Sequence, residues 1–213
     1  MANKRKIAVV DYGTGNIASL IAALRIVGAN PFLARSPQDI SRSDALVMPG
    51  VGHFSTAVES LHKFGLFNCI VDSINKGLPT LGICLGFQLL TLASEEAPGI
   101  KGLGCLPLFT IRMNPINKLK HKVPHIGWNN MNSEQGESKL LKMISFQEQL
   151  FYYSNAYAVK TPSELNFPHA LYNHDSNWLG LIEKENIFGV QFHPEKSRTQ
   201  GRILLNNFLK LIS

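Results

Sequence analysis

Short apolar runs alternate with segments of helical periodicity through the amino-terminal part of the chain, and this alternation restricts the fold more than any other feature. Residues 6–11 (KIAVVD) form one such run, and after the turn YGTGN apolar residues recur at helical spacing from Ile17 to Val27. Further strands are predicted at NPFLA, DALVMPG and TLGIC, helices at residues 54–66 and 67–76, and a helix beginning at LGFQLLTLA. Strands that alternate with helices build a mostly parallel sheet with helices on both faces.

The carboxyl-terminal half is predicted to be rich in strands, with few helices between them. Strands are predicted in GCLPLFTIRM, LFYYSNAYAV, HALYNH, WLGLIEK and IFGVQFH, whereas the polar residues 132–148 are predicted to form a surface loop with some helix. A chain of 213 residues suits one core, so we predict a single α/β domain over residues 1–213 with a mostly parallel central sheet and a β-rich carboxyl-terminal half. A last amphipathic helix has an apolar stripe formed by Ile203, Leu204, Phe208 and Leu211.

The composition excludes several classes of protein. No apolar run approaches the ~18 residues of a membrane span, and the amino terminus lacks the long apolar stretch and small-residue cleavage site of a secretion signal. The cysteines Cys69, Cys84 and Cys105 are far apart with no CxxC pair, which argues against a disulfide framework or a zinc cluster. We therefore expect a cytoplasmic protein with no membrane contact, metal or cofactor.

The net charge of +6 raises the alternative of a nucleic-acid partner, since cationic side chains dominate binding to phosphate. The basic residues, however, are spread thinly along the chain. The one dense stretch, from Lys118 to Lys122, lacks the interleaved aromatic residues that stack on bases. We therefore expect no nucleic-acid partner.

The motif LGICLG at positions 81–86 is the sharpest sign of chemistry. An apolar strand ends there in Cys84, which is flanked by two glycines and followed by a predicted helix. A sharp strand-to-helix turn of this kind holds a nucleophile at the top of a sheet, and the helix amino terminus favours the thiolate form of a cysteine. The alternative is a buried structural cysteine, which is the commoner role of a free cysteine.

A cysteine nucleophile needs a base, and the base needs a group that orients it. In GVQFHPEKS, positions 189–197, an apolar strand ends at His193, and Glu195 follows two residues later on the same side of an extended chain. Pro194 stiffens the link because its ring fixes φ. The alternative is a hydrogen-bonded histidine at a strand end beside a solvated glutamate, but a separate cysteine motif in the same chain favours a catalytic pair.

Acyl transfer also needs donors for the oxyanion of the tetrahedral intermediate. The segment MPGVGHF at positions 48–54 follows the strand DALVM, and Gly50 and Gly52 permit a backbone that turns amide N–H groups into a site. An ordinary glycine-rich turn between a strand and a helix is the alternative. A phosphate-binding loop is less favoured because no GK[ST] sequence follows.

The segments PGVG, LGICLG and QFHPEKS, in this order, resemble the class I glutamine amidotransferases over nearly the whole chain. Two further segments, DYGTGN at 11–16 and PHIGWN at 124–129, resemble the glutaminase subunit of imidazole glycerol phosphate synthase, whose other subunit is a (β/α)₈ cyclase. The resemblance implies a class I glutaminase fold and glutamine as the substrate. It also implies a heterodimer in which ammonia passes to the cyclase, which makes imidazole glycerol phosphate and AICAR in histidine biosynthesis.

The family pattern implies roles for individual residues. Cys84 would be the nucleophile, His193 the general base and acid, and Glu195 its orienting partner. Backbone N–H groups near Val51 and at Leu85 would form the oxyanion hole. The other implied contacts in the glutamine and oxyanion site are Gly50, Gly52, Gln88, Ala156 and Tyr157. The implied interface with the synthase comprises Asn16, Trp128, Tyr152 and Lys196.

The interface residues have plainer alternatives, because Trp128 would also suit a core and Lys196 a solvated surface, whereas the family pattern gives Lys196 an ion pair across the interface. The sequence also departs from the family pattern in two places. Where the family usually has His-Ser-Tyr or His-Thr-Tyr, this chain has Asn155 followed by Ala-Tyr, and His53 replaces the usual alanine after PGVG.

Three hypotheses of function remain open on these residues. The leading one is the glutaminase of the histidine pathway. The second is the glutaminase of a paralogous amidotransferase, for example one acting on a polysaccharide sugar, which the changes at Asn155 and His53 favour. The third, a regulatory or binding module on an inactive amidotransferase fold, is disfavoured because the cysteine, histidine and glutamate of the triad are all present.

Overall fold

The structure is a computed structural model that describes residues 4–13 and 17–212. Within these residues, twelve strands form one sheet of nine and one of three. The strands are β1 (Lys6–Val10), β2 (Asn30–Ala34), β3 (Ala45–Met48), β4 (Thr80–Ile83), β5 (Ala93–Ser94), β6 (Phe109–Arg112), β7 (His125–Gln135), β8 (Leu150–Asn155), β9 (Tyr157–Val159), β10 (His169–Asn173), β11 (Asn177–Lys184) and β12 (Ile187–Val190). The helices are α1 (Ile17–Ile26), α2 (Pro37–Ser41), α3 (Phe54–Lys63), α4 (Leu66–Asn75), α5 (Leu85–Leu89) and α6 (Arg198–Lys210), with 3₁₀ turns at Phe146–Glu148 and Pro194–Lys196.

The large sheet has the strand order β2-β1-β3-β4-β12-β11-β10-β7-β8. The neighbours from β2 to β12 are parallel, and those from β12 to β8 are antiparallel. The predicted α/β class is therefore confirmed, with the antiparallel strands supplied by the β-rich half. Because β4 and β12 are parallel neighbours, their carboxyl ends meet at one edge of the sheet, which brings the two predicted catalytic motifs together.

The core lies on both faces of the parallel strands. Along β1, Ile7 and Val9 pack into one buried apolar cluster, and Ala8 and Val10 pack into another on the opposite face. Residues of α1 and α6 complete the first cluster, and residues of α3 and α4 complete the second. Each large apolar side chain that is fully buried contributes about 1.5–3 kcal/mol, so these two layers hold the sheet edge that carries the site.

Some predicted boundaries differ from the structure. Gly65 adopts a left-handed φ of 66°, and the helices on either side of it are Phe54–Lys63 and Leu66–Asn75. The surface loop predicted for residues 132–148 is wrong at its start, because β7 continues to Gln135 and pairs with β10 there. The sequence of β7 is largely polar, so its strand character depends on this pairing and is not evident as apolar alternation. None of the helices in the described part of the chain is both long and apolar enough to cross a membrane.

Candidate active site

Cys84 occupies a strained turn between β4 and α5, with φ 48° and ψ −104°. A side chain other than glycine rarely adopts positive φ, and such strain persists only where the surroundings hold it. Two glycines allow the necessary close packing. A Cβ atom at Gly86 would lie 2.0 Å from the carbonyl oxygen of Met48, and one at Gly50 would lie 2.8 Å from the Cβ of Cys84. The turn therefore has the geometry of the predicted strand-to-helix turn, which we call the elbow.

His193 follows β12 and is buried beside this turn, with its Nδ1 2.8 Å from Oε1 of Glu195. The extended chain expected between these two residues is wrong, because Pro194–Lys196 forms a 3₁₀ turn. Proline suits the first position of such a turn because its φ is already near the required value. The side chain of Glu195 is only 8% exposed, which excludes the alternative of a solvated glutamate.

The charge state of His193 is set by its neighbours. Burial alone would lower the pKa of His193, but the negative charge of Cys84 and the hydrogen bond and charge of Glu195 outweigh burial and raise this pKa to about 10. The Nε2 atom of His193 is buried and makes no hydrogen bond to any residue that the structure describes. The site therefore favours the imidazolium form of His193, whose Nδ1 is held by Glu195.

A pocket of about 130 Å³ opens beside Cys84. This volume equals that of roughly four water molecules, which suits a small side chain better than a nucleotide or a sugar chain. The pocket contains every residue that the sequence predicted for the glutamine and oxyanion site. Its lining consists of Gly50, Val51, Gly52, Cys84, Leu85, Gln88, Glu96, Ser154, Asn155, Ala156 and Tyr157.

Glu96 is a pocket residue that the sequence did not indicate. Its Oε2 accepts a hydrogen bond of 2.9 Å from the backbone N–H of Phe54, and its Oε1 lies 4.0 Å from Nε2 of His53. A single carboxylate in a turn gives no local signal of function, so only the folded chain could reveal it. The carboxylate places negative charge at the pocket, where a cationic group of a ligand would be stabilised.

Tyr12, in the motif DYGTGN, supports the predicted oxyanion loop. Its buried hydroxyl donates to the carbonyl of Pro49 over 2.6 Å, at the start of that loop. Burial, and then the nearby charges of Cys84 and Asp11, raise the pKa of Tyr12, so the hydroxyl remains a donor. The predicted interface residue Asn16 lies outside the described residues.

The predicted interface residues on β7 and β8 lie together. Trp128 and Tyr152 are cross-strand partners with ring centroids 5.9 Å apart, and Nζ of Lys196 lies 5.5 Å from the centre of the Tyr152 ring. Trp128 is 39% exposed, so the alternative that it belongs to the core is wrong. Arg198, which the sequence did not indicate, stacks its guanidinium 4.9 Å from the centre of the Trp128 ring.

The two departures from the family pattern occupy different environments. Asn155 is buried at the end of β8, and its Nδ2 donates to the carbonyl of Tyr157 over 3.0 Å and to the hydroxyl of Tyr172 over 3.3 Å. These hydrogen bonds lie at the point where the chain passes from the large sheet to the small one. His53 is largely exposed, at the start of α3, and contacts Ser55.

Comparisons with known proteins agree with this geometry. A family model described as glutamine amidotransferase class-I matches residues 8–211. The imidazole glycerol phosphate synthase subunit HisH of Methanothermobacter thermautotrophicus is 38% identical over 206 residues, which cover 97% of this chain and 98% of that protein. Imidazole glycerol phosphate synthase subunit HisH 2 of Pseudomonas aeruginosa is 36% identical, with 97% of this chain and 100% of that protein covered.

Solved structures show the same fold at low sequence identity. A putative GMP synthase protein from Thermoplasma acidophilum has a TM-score of 0.70 at 17% identity, covering 99% of this chain and 94% of that one. PurLQS from Thermotoga maritima has a TM-score of 0.69 at 16% identity, covering 99% and 100%. Together with the full-length relatives, these matches show that the chain belongs to the class-I glutamine amidotransferases, in the family of the imidazole glycerol phosphate synthase subunit HisH.

Proposed function

We propose that this chain hydrolyses glutamine through Cys84, His193 and Glu195 and passes the ammonia to a (β/α)₈ cyclase in imidazole glycerol phosphate synthase. The observation that carries the proposal is the strained Cys84, at φ 48°, beside a histidine whose pKa is raised to about 10. The relatives named HisH support the choice of pathway.

The first half of the reaction forms a thioester. The thiolate of Cys84 attacks the side-chain carbonyl carbon of glutamine, and the carbonyl oxygen becomes the oxyanion of a tetrahedral intermediate. Leu85 is the first residue of α5, where a backbone N–H has no acceptor within its own helix, and it would donate to this oxyanion together with an N–H of the segment near Val51. When the intermediate collapses, the imidazolium of His193 gives its Nε2 proton to the leaving nitrogen, and ammonia departs.

The second half returns the enzyme to its starting state. Neutral His193 removes a proton from water as the water oxygen attacks the thioester carbonyl. Collapse of the second intermediate releases glutamate and the thiolate of Cys84, while His193 keeps the proton. Glu195 holds the ring through Nδ1 in both halves, so that Nε2 faces the reacting atoms.

Substrate recognition is proposed to involve Glu96 as well as the predicted residues. Glutamine carries an α-ammonium group that a carboxylate in the pocket would pair with. Nε2 of Gln88 is already bonded to the carbonyl of Tyr157 at 2.9 Å, which leaves its Oε1 to accept from the substrate. Glu96→Gln should therefore raise the KM for glutamine more than it lowers kcat. The reason is that the lost attraction stabilises the bound substrate and the transition state equally.

The proposed docking surface for the cyclase is the outer face of the β7–β8 hairpin. Ile126 is 63% exposed there, and Trp128, Phe146 and Leu150 are also exposed. Apolar patches with a polar rim often mark protein interfaces, and Lys196 and Arg198 provide cations at this one. This hairpin is the edge of the large sheet, and its end approaches the nucleophile, since the carbonyl of Ser154 lies 4.0 Å from Sγ of Cys84.

A second candidate is a glutaminase of a paralogous amidotransferase, for example one acting on a polysaccharide sugar. Asn155 favours it, because this residue replaces a family histidine and is built into the junction beside the pocket. The two candidates share the same hydrolysis and differ in the partner and in the acceptor of the ammonia.

The decisive experiment measures glutamine hydrolysis by the purified chain under three conditions. The chain is assayed alone, with the histidine-pathway cyclase of the same cell and its ribonucleotide substrate, and with any paralogue of that (β/α)₈ cyclase. We expect slow hydrolysis by the chain alone and at least a tenfold increase with the cyclase, because docking would turn a backbone N–H of the segment MPGVGHF toward the oxyanion. One misplaced oxyanion donor costs about 10²- to 10³-fold. Activation by the paralogue and not by the cyclase would replace the first candidate with the second. Absence of glutaminase activity with every partner would overturn both.

A further inference from the structure

Gln191 lies between β12 and His193 and is completely buried, yet the proposed reaction gives it no role. Its Nε2 is 3.5 Å from Sγ of Cys84. We infer that Gln191 is a catalytic residue of the glutaminase, whose side-chain N–H donates to Sγ and stabilises the thiolate before glutamine binds. This inference rests on the proposed function, because it assigns a further group to the same nucleophile.

The orientation of the Gln191 amide follows from a fixed acceptor. The carbonyl oxygen of Tyr157 can only accept, so the neighbouring side-chain nitrogen of Gln88, 2.9 Å away, must be the donor. The same nitrogen donates its other hydrogen to Oε1 of Gln191 over 3.3 Å. With its oxygen held by Gln88, the amide of Gln191 turns its nitrogen toward the sulfur. One backbone carbonyl therefore determines which end of Gln191 faces Cys84.

The other contacts of Sγ do not supply this donation. The carbonyl of Ser154, 4.0 Å away, is an acceptor and cannot donate a hydrogen bond to the sulfur. Gln191 brings an uncharged side-chain nitrogen within 3.5 Å of Sγ. His193 adds a positive charge, but it loses this charge when it gives its proton to the departing ammonia. Gln191 has no ionisable group, so its stabilisation of the sulfur as a leaving group persists after His193 has become neutral.

The hydrogen-bonded side-chain amides of Gln88 and Gln191 also connect the nucleophile to the wall of the pocket. The carbonyl of Tyr157 accepts from both Gln88 and Asn155, and Tyr157 lines the pocket. Both lone pairs of that carbonyl are thus used by side chains of the site. Movement of β9 on glutamine binding would be transmitted through Gln88 to Gln191 and so to the sulfur.

The test measures alkylation of Cys84 by iodoacetamide in the full chain as a function of pH, with peptide mapping to identify the modified cysteine. Gln191→Met keeps the side-chain length and removes the donor. A hydrogen bond to a charged group is worth about 10- to 100-fold in an equilibrium, so we expect the pH midpoint of alkylation to rise by about one to two units. Gln88→Met should raise the midpoint by a smaller amount, because Gln191 remains but its orientation is released.

Asn207 provides a matched control. It is also a buried amide, but its Nδ2 donates to the carbonyls of Leu140 and Lys142 and it has no contact with the pocket. Asn207→Leu should lower the melting temperature and leave the alkylation midpoint at the wild-type value. A midpoint in folded Gln191→Met equal to that of the wild type overturns the inference.

If Gln191→Met does not fold, Gln88→Met decides, and a wild-type midpoint there overturns the inference too. The proposed function is tested separately by Cys84→Ala. Retained glutaminase activity in that variant would refute the function, whatever the result at Gln191.

Discussion

The backbone N–H of His193 donates to the carbonyl of Tyr152 over 2.8 Å, so the proposed base is tied to the strand that carries the exposed aromatic surface. Ser197 strengthens this link, because its Oγ accepts from the N–H of Tyr152 over 3.0 Å and donates to the carbonyl of His193 over 2.6 Å. A partner that shifts Tyr152 must therefore also shift the backbone of His193. This connection gives a route by which docking changes the geometry of the site.

Ser197→Ala should weaken the coupling between partner and site. The variant leaves the N–H of Tyr152 without its acceptor, which costs about 1–3 kcal/mol of unfolding free energy. We expect the ratio of glutaminase rates with and without partner to fall at least threefold, measured by glutamate release at saturating glutamine. Ser73→Ala, which removes a hydroxyl bonded to a helix carbonyl on α4, should leave that ratio unchanged. An unchanged ratio in Ser197→Ala would exclude this route.

Cysteine labelling should be selective for Cys84. A glutamine analogue with a diazoketone should modify Cys84 and spare Cys69 and Cys105, as read by peptide mass mapping. Burial raises the pKa of Cys105 to about 11 although Lys184 opposes the rise, so this thiol remains protonated near neutral pH. Equal labelling of all three cysteines would contradict the assignment.

Cys84→Ala should abolish hydrolysis of glutamine but retain synthesis from added ammonium salt.

The histidine and the glutamate of the triad should differ in importance. His193→Ala should lower kcat for glutamine hydrolysis by about 10²- to 10⁴-fold, because it removes the group that donates and accepts the proton. Glu195→Gln should do less damage, since an amide in the same place can still hold the ring. Steady-state kinetics with the partner present measure both. A loss smaller than threefold in His193→Ala would reject His193 as the base.

The stability of the chain should depend on pH through His193. The pKa of this histidine is raised to about 10 from the ordinary value near 6.5, so its charged form contributes stability that is full below about pH 6.5 and lost as the pH rises through about 10. Urea unfolding of the wild type should therefore show a decline over this window that His193→Gln lacks. In Cys84→Ala the decline should be smaller, because the largest charge that raises the pKa is absent. A parallel pH dependence of wild type and His193→Gln would disprove the raised pKa.

The class of fold and the elbow were both evident in the sequence for local reasons. Alternating strand and helix periods favour a covered parallel sheet, and Cys84 at a strand end, with a glycine two residues before it and another two residues after it, indicates a sharp turn into a helix. The pairing of His193 with Glu195 was also predictable, since the two residues are neighbours in the chain. Its geometry was not, because the 3₁₀ turn at Pro194–Lys196 replaces the expected extended segment.

The break between β8 and β9 shows what local pattern cannot supply. The segment LFYYSNAYAV has continuous strand character, but the structure divides it at Ala156 and sends the two parts to different sheets. At the division Asn155 donates to the hydroxyl of Tyr172, and beyond it β9 pairs with β6, which are contacts with residues outside the segment. Strand propensity is similar on both sides of the break, so it could not indicate the change of sheet.

The sequence by itself predicted the α/β class, the strand-to-helix turn at Cys84 and the pair His193 and Glu195, because each of these follows from periodicity or from residues close together in the chain. Only the tertiary structure brought Glu96 to the pocket and Gln191 to the nucleophile. Gln191 and Cys84 are 107 residues apart, and they meet because β12 lies parallel to β4 in the middle of the sheet. Strand order is set by the packing of the whole core, and no local pattern of residues encodes it.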